Sequence, residues 1–170
     1  MKKAVVTLSK VFFPLHSRKG EETYFKEKVI SGEKIHTCRR NSKFWATKLT
    51  NIKDVGGVLS LRQWSGKPYR SNQEIITEIP AENIGFQTVK ITRIITKIEH
   101  FAEGIKEPFA TAKHYEWFAE VDERPIVLHE LAKNDGLTED EFKEWFNPVF
   151  DSEKEETLSF IIIHFTNFRY

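Results

Sequence analysis

The sequence predicts an α+β domain, a curled mixed sheet or small β-barrel with short helices at its flanks. Three observations carry this. Runs rich in Val, Ile, Leu and Phe, such as 58–64, 84–98 and 158–165, are separated by Gly, Pro and Ser turn signals. Stretches with helical spacing stop at glycines. The two kinds do not follow a strict βαβ order, as a wholly parallel sheet would require. The chain has 170 residues, 39% of them hydrophobic, with no repeat, low-complexity segment or linker. One domain over 1–170 is expected, and 14 phenylalanines make much of its core aromatic.

In chain order, Ala4 to Phe13 reads as a strand that Pro14 ends. Gly20 to Ile30 reads as a helix, with Phe25 and Val29 one turn apart and Gly32 just past its end. Lys34 to Arg39 alternates as a strand. Asn41 or Ser42 could cap a helix over 43–53, with Phe44, Thr47 (or Lys48) and Ile52 inward and Trp45 beside them. Gly56-Gly57 breaks it. Val58 to Trp64 is a strand, 65–68 a turn, and Ser71 to Ile79 the returning partner, ended by Pro80. Ile84 to Ile98 is a long β-prone run whose phase changes near Arg93, which suggests a bulge. Residues 99–125 carry aromatic islands, His100-Phe101 and His114 to Phe118, without a clear period. Ile126 to Asn134 is helical. Thr138 caps a further helix, with Glu141 completing a capping box and Phe142, Trp145 and Phe146 as its stripe, until Pro148. Leu158 to Phe165 is an apolar strand suited to a central position.

Composition removes several function classes. No run reaches the roughly 18 apolar residues of a membrane span, and the N-terminus lacks a signal-peptide core, so no membrane partner and a cytoplasmic location are expected. Cys38 is the only cysteine, which excludes an intrachain disulfide and a cysteine-based zinc knuckle. The six histidines show no ligand spacing, and no metal is expected. There is no Gly-rich phosphate loop, serine elbow or paired-carboxylate motif, and no cofactor is expected. The net charge of +1 hides an asymmetry: residues 1–70 hold 16 Lys/Arg against 5 Asp/Glu, and the remainder 10 against 20. If the first part forms one face, that face attracts phosphate; alternatively the two parts pack together and neutralise each other.

The stretch 31–40, Ser-Gly-Glu-Lys-Ile-His-Thr-Cys-Arg-Arg, places an amine, a hydroxyl and a guanidinium within six residues. A site that grips a nucleobase, or attacks an acyl group attached to one, could use all three. Arg39 and Arg40 could hold a phosphate or stack on a base, or be paired surface arginines. Arg62-Gln63-Trp64-Ser65-Gly66-Lys67-Pro68-Tyr69-Arg70 interleaves aromatics with cations. Arg62, Trp64, Lys67, Tyr69 and Arg70 could stack bases and contact phosphates of single-stranded RNA. The alternative is that Trp64 and Tyr69 are a hairpin's cross-strand pair.

At 32–39, Gly-Glu-Lys-Ile-His-Thr-Cys-Arg, the chain resembles the ASCH domain, a branch of the PUA-like superfamily. The helix ending in Gly32, the strand 58–64, the helical segment 131–145 and the closing strand 161–165 are similar in order. The resemblance covers most of the chain, whereas 65–125 is an enlargement over a minimal domain. It implies a five- or six-stranded barrel whose cleft is lined by the Lys-x-x-Thr-x-Arg strand. It also implies recognition of a nucleobase or nucleoside, with RNA the expected partner. Some ASCH proteins are amidohydrolases that deacylate N4-acetylcytidine with a lysine, a threonine and a glutamate; others are ribonucleases, for which no histidine pair can be placed here. The lysine and threonine match Lys34 and Thr37. The glutamate's counterpart is Asp135, a departure by one methylene, and a displacement of about 1 Å can cost roughly a hundredfold in rate.

A catalytic reading of Lys34 and Thr37 makes two demands. The hydroxyl needs a base to accept its proton, and a lysine serves only if burial or a neighbouring cation such as Arg39 or Arg40 lowers its pKa. Residues 34 and 37 of a regular strand also point to opposite faces, so the pair meets only if the strand starts at or after Lys34, or bulges. Otherwise Lys34 is a solvated strand end and Thr37 an interior residue.

Overall fold

A computed structural model describes residues 2–100, 103–104, 110–151 and 153–170. Phe101, half of one aromatic island, lies outside the described residues, as does part of the enlarged segment 65–125. The elements are β1 (Lys3–Leu8), α1 (Phe25–Ser31), β2 (His36–Arg39), α2 (Ser42–Asp54), β3 (Val58–Trp64), β4 (Gln73–Pro80), β5 (Gly85–His100), β6 (Ala110–Val121), β7 (Arg124–Ile126), α3 (Leu128–Asn134), α4 (Glu139–Phe146) and β8 (Glu156–His164). The fold is mixed α+β. Among the described residues the strands form two sheets, β1-β3-β4 and β2-β8-β5-β6-β7, which do not close into a hydrogen-bonded barrel. Among the described residues only the β1–β3 pair is parallel.

The two sheets share one core. Ala4, Val6 and Leu8 of β1 and Leu59 and Leu61 of β3 meet Val89 and Ile91 of β5 and the fully buried run Phe160 to Ile163 of β8. That run lies between β2 and β5, which explains its unbroken apolar character. Leu131, Phe142 and Phe146 close the core from α3 and α4. The Thr138 capping box is present: its hydroxyl accepts from Glu141 N at 3.2 Å, and the Glu141 carboxylate accepts from Thr138 N at 2.8 Å.

Four sequence expectations are corrected. The first strand ends at Leu8, and the first helix begins at Phe25 rather than Gly20. Residues 10–23 form a folded-back loop instead, held by Phe12 N to Glu21 O and Thr23 N to Lys10 O, and Tyr24 is left-handed at φ 56°, which bars an earlier start. Phe44 does not face the core: it is 56% exposed, and α2 buries Leu49 together with the expected Ile52. No bulge occurs at Arg93, because β5 keeps register with β6 through His100 and with β8 through Arg93. Arg93 is the third inward residue after Val89 and Ile91; it donates to Asn147 Oδ1 at 2.5 Å and to the Asp151 carbonyl, and packs on Tyr115 and Phe150. The phase changes where β8 begins at Glu156 and the sandwiched part of β5 ends. Among the described residues a register shift occurs at Leu61/Arg62, in the β3–β4 pair.

Candidate functional site

The local chain path decides whether Lys34 and Thr37 can meet. Gly32 adopts φ 78° after α1, a conformation that favours glycine, and its N–H closes on Val29 O. Lys34 N then bonds Lys28 O, Ile35 N bonds Asn134 O, and strand pairing with β8 starts only at His36. Lys34 therefore precedes the strand, and the alternation that would separate it from Thr37 does not apply.

Asp135 arrives from the other side. It follows α3 and donates its N–H to Leu131 O and Ala132 O. Gly136 at φ 75° turns the chain away, and a Cβ there would lie 3.0 Å from Lys34 Cβ. The Asp135 carboxylate reaches the free edge of β2, where Oδ2 accepts from Cys38 N at 3.1 Å. The Lys34 ammonium donates to Asp135 Oδ1 and to the Asp135 carbonyl, and sits 4.2 Å from the centre of the Phe25 ring. Lys34 is 1% exposed and Asp135 4%. Burial pushes the Lys34 pKa down, Asp135 pulls part of the way back, and the Arg39 charge adds to the lowering. Residues a hundred positions apart thus form one buried ion pair.

Above this pair lies a cavity of about 290 Å³, at the small end of the range for ligand pockets. Thr37, Arg39 and Asp135 line it, with Lys34 behind Asp135. The Thr37 hydroxyl has no hydrogen-bond partner among the described residues, so it is free for a ligand. Arg39 donates to Thr7 O at 2.8 Å, which holds its guanidinium against β1. The opposite wall comes from the β3–β4 turn: Trp64, Pro68, Tyr69 and Gln73. Trp64 pairs in register with Gln73, so Trp64 and Tyr69 are not a cross-strand pair. Tyr69 is a turn residue at φ 61°, 90% exposed, with its ring 5.3 Å from that of Trp64.

The remaining expected contacts fall elsewhere. Arg62 turns back along its strand, donating to Ser60 Oγ at 3.0 Å and to Gln73 Oε1 at 3.3 Å. Arg40, Lys67 and Arg70 are exposed and do not line the cavity, although Lys67 and Arg70 flank Pro68 and Tyr69 on the same turn. Sequence reasoning did not single out Thr7, Gln73, Phe25 or Trp145 as cavity residues. The last two belong to helix stripes whose ends reach the cavity; Thr7 and Gln73 carried no signal.

His36, Cys38 and Asp135 offer ligand atoms within 4.8 Å of one another, the grouping closest to a metal centre among the described residues. Its chemistry is poor for a cation. Both Asp135 oxygens are engaged, burial holds the Cys38 thiol well above its usual pKa, and the Lys34 ammonium lies against the carboxylate. Behind β2, His36 Nε2 meets Tyr170 Oη at 2.8 Å, and His164 packs edge-on against His36. His16, also buried, contacts the Glu141 carbonyl and the Trp145 ring and is a packing histidine.

Compared with known proteins, the chain matches no family model, no curated protein and no solved structure.

Proposed function

We propose that the cavity binds a nucleobase or nucleoside, and that the reaction it is best equipped for is hydrolysis of an acyl group from a pyrimidine's exocyclic nitrogen, as in N4-acetylcytidine. One observation carries this: Thr37 and the Asp135 carboxylate line one small cavity with an aromatic wall, and a buried lysine of lowered proton affinity, Lys34, is paired with that carboxylate from behind. It agrees with the ASCH resemblance, and the two sheets around a shared core are read as an opened PUA-like barrel. The base lies against Trp64 and Tyr69, and Arg39 anchors its polar edge or the sugar.

In this reading Thr37 Oγ attacks the acyl carbon while Lys34, in its neutral form, takes the hydroxyl proton. Asp135 orients the amine. The C–N bond breaks as the Lys34 ammonium returns that proton to the departing nitrogen, and water then cleaves the Thr37 ester to release the carboxylic acid. A hydroxyl of ordinary pKa needs such a base, and burial is what makes a lysine competent.

A second reading is binding without turnover. Asp135 is a methylene shorter than the family's glutamate, and both its oxygens are already engaged, at Lys34 and at Cys38 N. The two readings part in one experiment. Purified protein is incubated with N4-acetylcytidine and cytidine release is followed, with Thr37→Ala beside it. Turnover that Thr37→Ala abolishes supports the enzyme. Saturable binding without turnover supports the binding module. Neither binding nor turnover eliminates both.

A further inference from the structure

The exposed face of α2 does not fit the cavity's chemistry and has a character of its own. Phe44, placed by its spacing to be inward, is 56% exposed. It borders a shallow depression of about 650 Å³ with Asn41, Lys43, Thr47, Lys48 and Asn51. No carboxylate lines that depression, and α2 carries only one acid, Asp54, at its last residue. Lys48 Nζ lies 5.4 Å from the Phe44 ring centre and 5.0 Å from that of Trp45. Neither Lys43 nor Lys48 forms an ion pair among the described residues. The surface therefore offers a half-exposed ring that Trp45 meets edge-on, two ammonium groups without an acidic partner among the described residues and two side-chain amides.

We infer that this face is a docking surface for a single-stranded polynucleotide, with a base stacked on Phe44 and phosphates held by Lys43 and Lys48. Charge complementarity selects a polyanion, and the half-exposed ring among the cations selects one that carries bases. Asn41 and Asn51 add hydrogen bonds to base edges or sugars. The chain path ties this surface to the cavity. Arg39 lines the cavity, Arg40 and Asn41 follow, and Lys43 is four residues on, at most about 14 Å along the backbone. A short strand lying on α2 reaches the cavity mouth with a neighbouring nucleotide. This link to the cavity rests on the function proposed above; the binding surface itself does not.

The test is fluorescence anisotropy with labelled oligocytidine RNA, the matching DNA and heparin, on the full chain across a salt series. Lys43→Glu/Lys48→Glu should weaken both oligomers at least tenfold and reduce the salt slope by about 1.4, at roughly 0.7 per single-strand phosphate contact. Phe44→Ala should weaken oligomer binding about tenfold and leave heparin, which has no bases, unchanged. Preference for one oligomer then names RNA or DNA as the source. All three positions are at the surface, and circular dichroism confirms that the variants fold. Parental affinity and slope in both variants would overturn the inference, as would loss of heparin binding in step with Phe44→Ala. N4-acetylcytidine turnover is measured in parallel and should not change. Absence of turnover in the parent, with oligomer binding lost in the α2 variants, would remove the catalytic reading and leave this one standing.

Discussion

Replacing Asp135 by asparagine keeps an oxygen for Cys38 N but removes the charge and puts an NH2 donor where the Lys34 ammonium had an acceptor. The Lys34 ammonium, 1% exposed, is then left with the residue 135 carbonyl and the Phe25 ring as neighbours. Breaking a buried pair from one side costs about 3–5 kcal/mol. For a chain of this length that lowers Tm by roughly 10 °C. The loss has a definite pH signature. Lys34 in the native state already holds its proton less tightly than an unfolded lysine, near pKa 10.4, and without the carboxylate it holds it less tightly still. Between the two values the unfolded chain carries the extra proton, so the variant's stability climbs with pH by up to about 1.4 kcal/mol per unit, more steeply than the parent's. Lys34→Met/Asp135→Asn removes both charges and should recover most of the loss. Urea unfolding followed by tryptophan fluorescence, at about pH 7 and about pH 9, measures all three. Asp135→Asn within about 1 kcal/mol of the parent, with no added slope and no recovery in the double variant, would refute the reasoning.

Acid should destabilise the parent through the histidines behind β2. Burial lowers His36 to about 3 and His164 to about 4, both below the unfolded value near 6.5. Their neutral forms are retained above that value, and stability is lost as pH falls through the window beneath it, by about 2 kcal/mol each at pH 5; urea midpoints across this range, with His164→Leu showing the shallower fall, check it. Gly136→Ala forces a side chain into φ 75° and into Lys34 Cβ at 3.0 Å. It should cost about 1–2 kcal/mol, read by urea unfolding, and in the hydrolysis proposed above it should, by shifting Lys34, lower kcat more than it raises KM, read by steady-state kinetics.

Local rules carried much of the fold. β3 runs from Val58 to Trp64 as its pattern requires, and the capping box at Thr138 and the glycine stop at Gly32 are both present. These depend on neighbours within a turn. What the sequence hid depends on distant partners. The late start of β2 follows from Ile35 bonding Asn134, a contact across a hundred residues. Arg93 read as a break in phase because an inward guanidinium becomes intelligible only beside Asn147, Tyr115 and Phe150. At the site, Lys34, Thr37, Arg39, Trp64, Tyr69 and Asp135 come to one place, with Lys34 one layer back, while Arg40, Arg62, Lys67 and Arg70 do not line it. The motif's spacing singled out Lys34 before β2 and Thr37 and Arg39 within it, and the last two line the cavity. The resemblance supplied Asp135, and only the fold put the β3–β4 turn opposite it.

The most direct test is a crystal of the Thr37→Ala protein soaked with N4-acetylcytidine. The expected result is the base against Trp64 and Tyr69, with the acyl carbon beside residue 37 and the Lys34–Asp135 pair intact beneath it. A nucleoside bound away from this cavity, or an empty cavity at saturating ligand, would contradict the reading of residues 34, 37 and 135 as one working group.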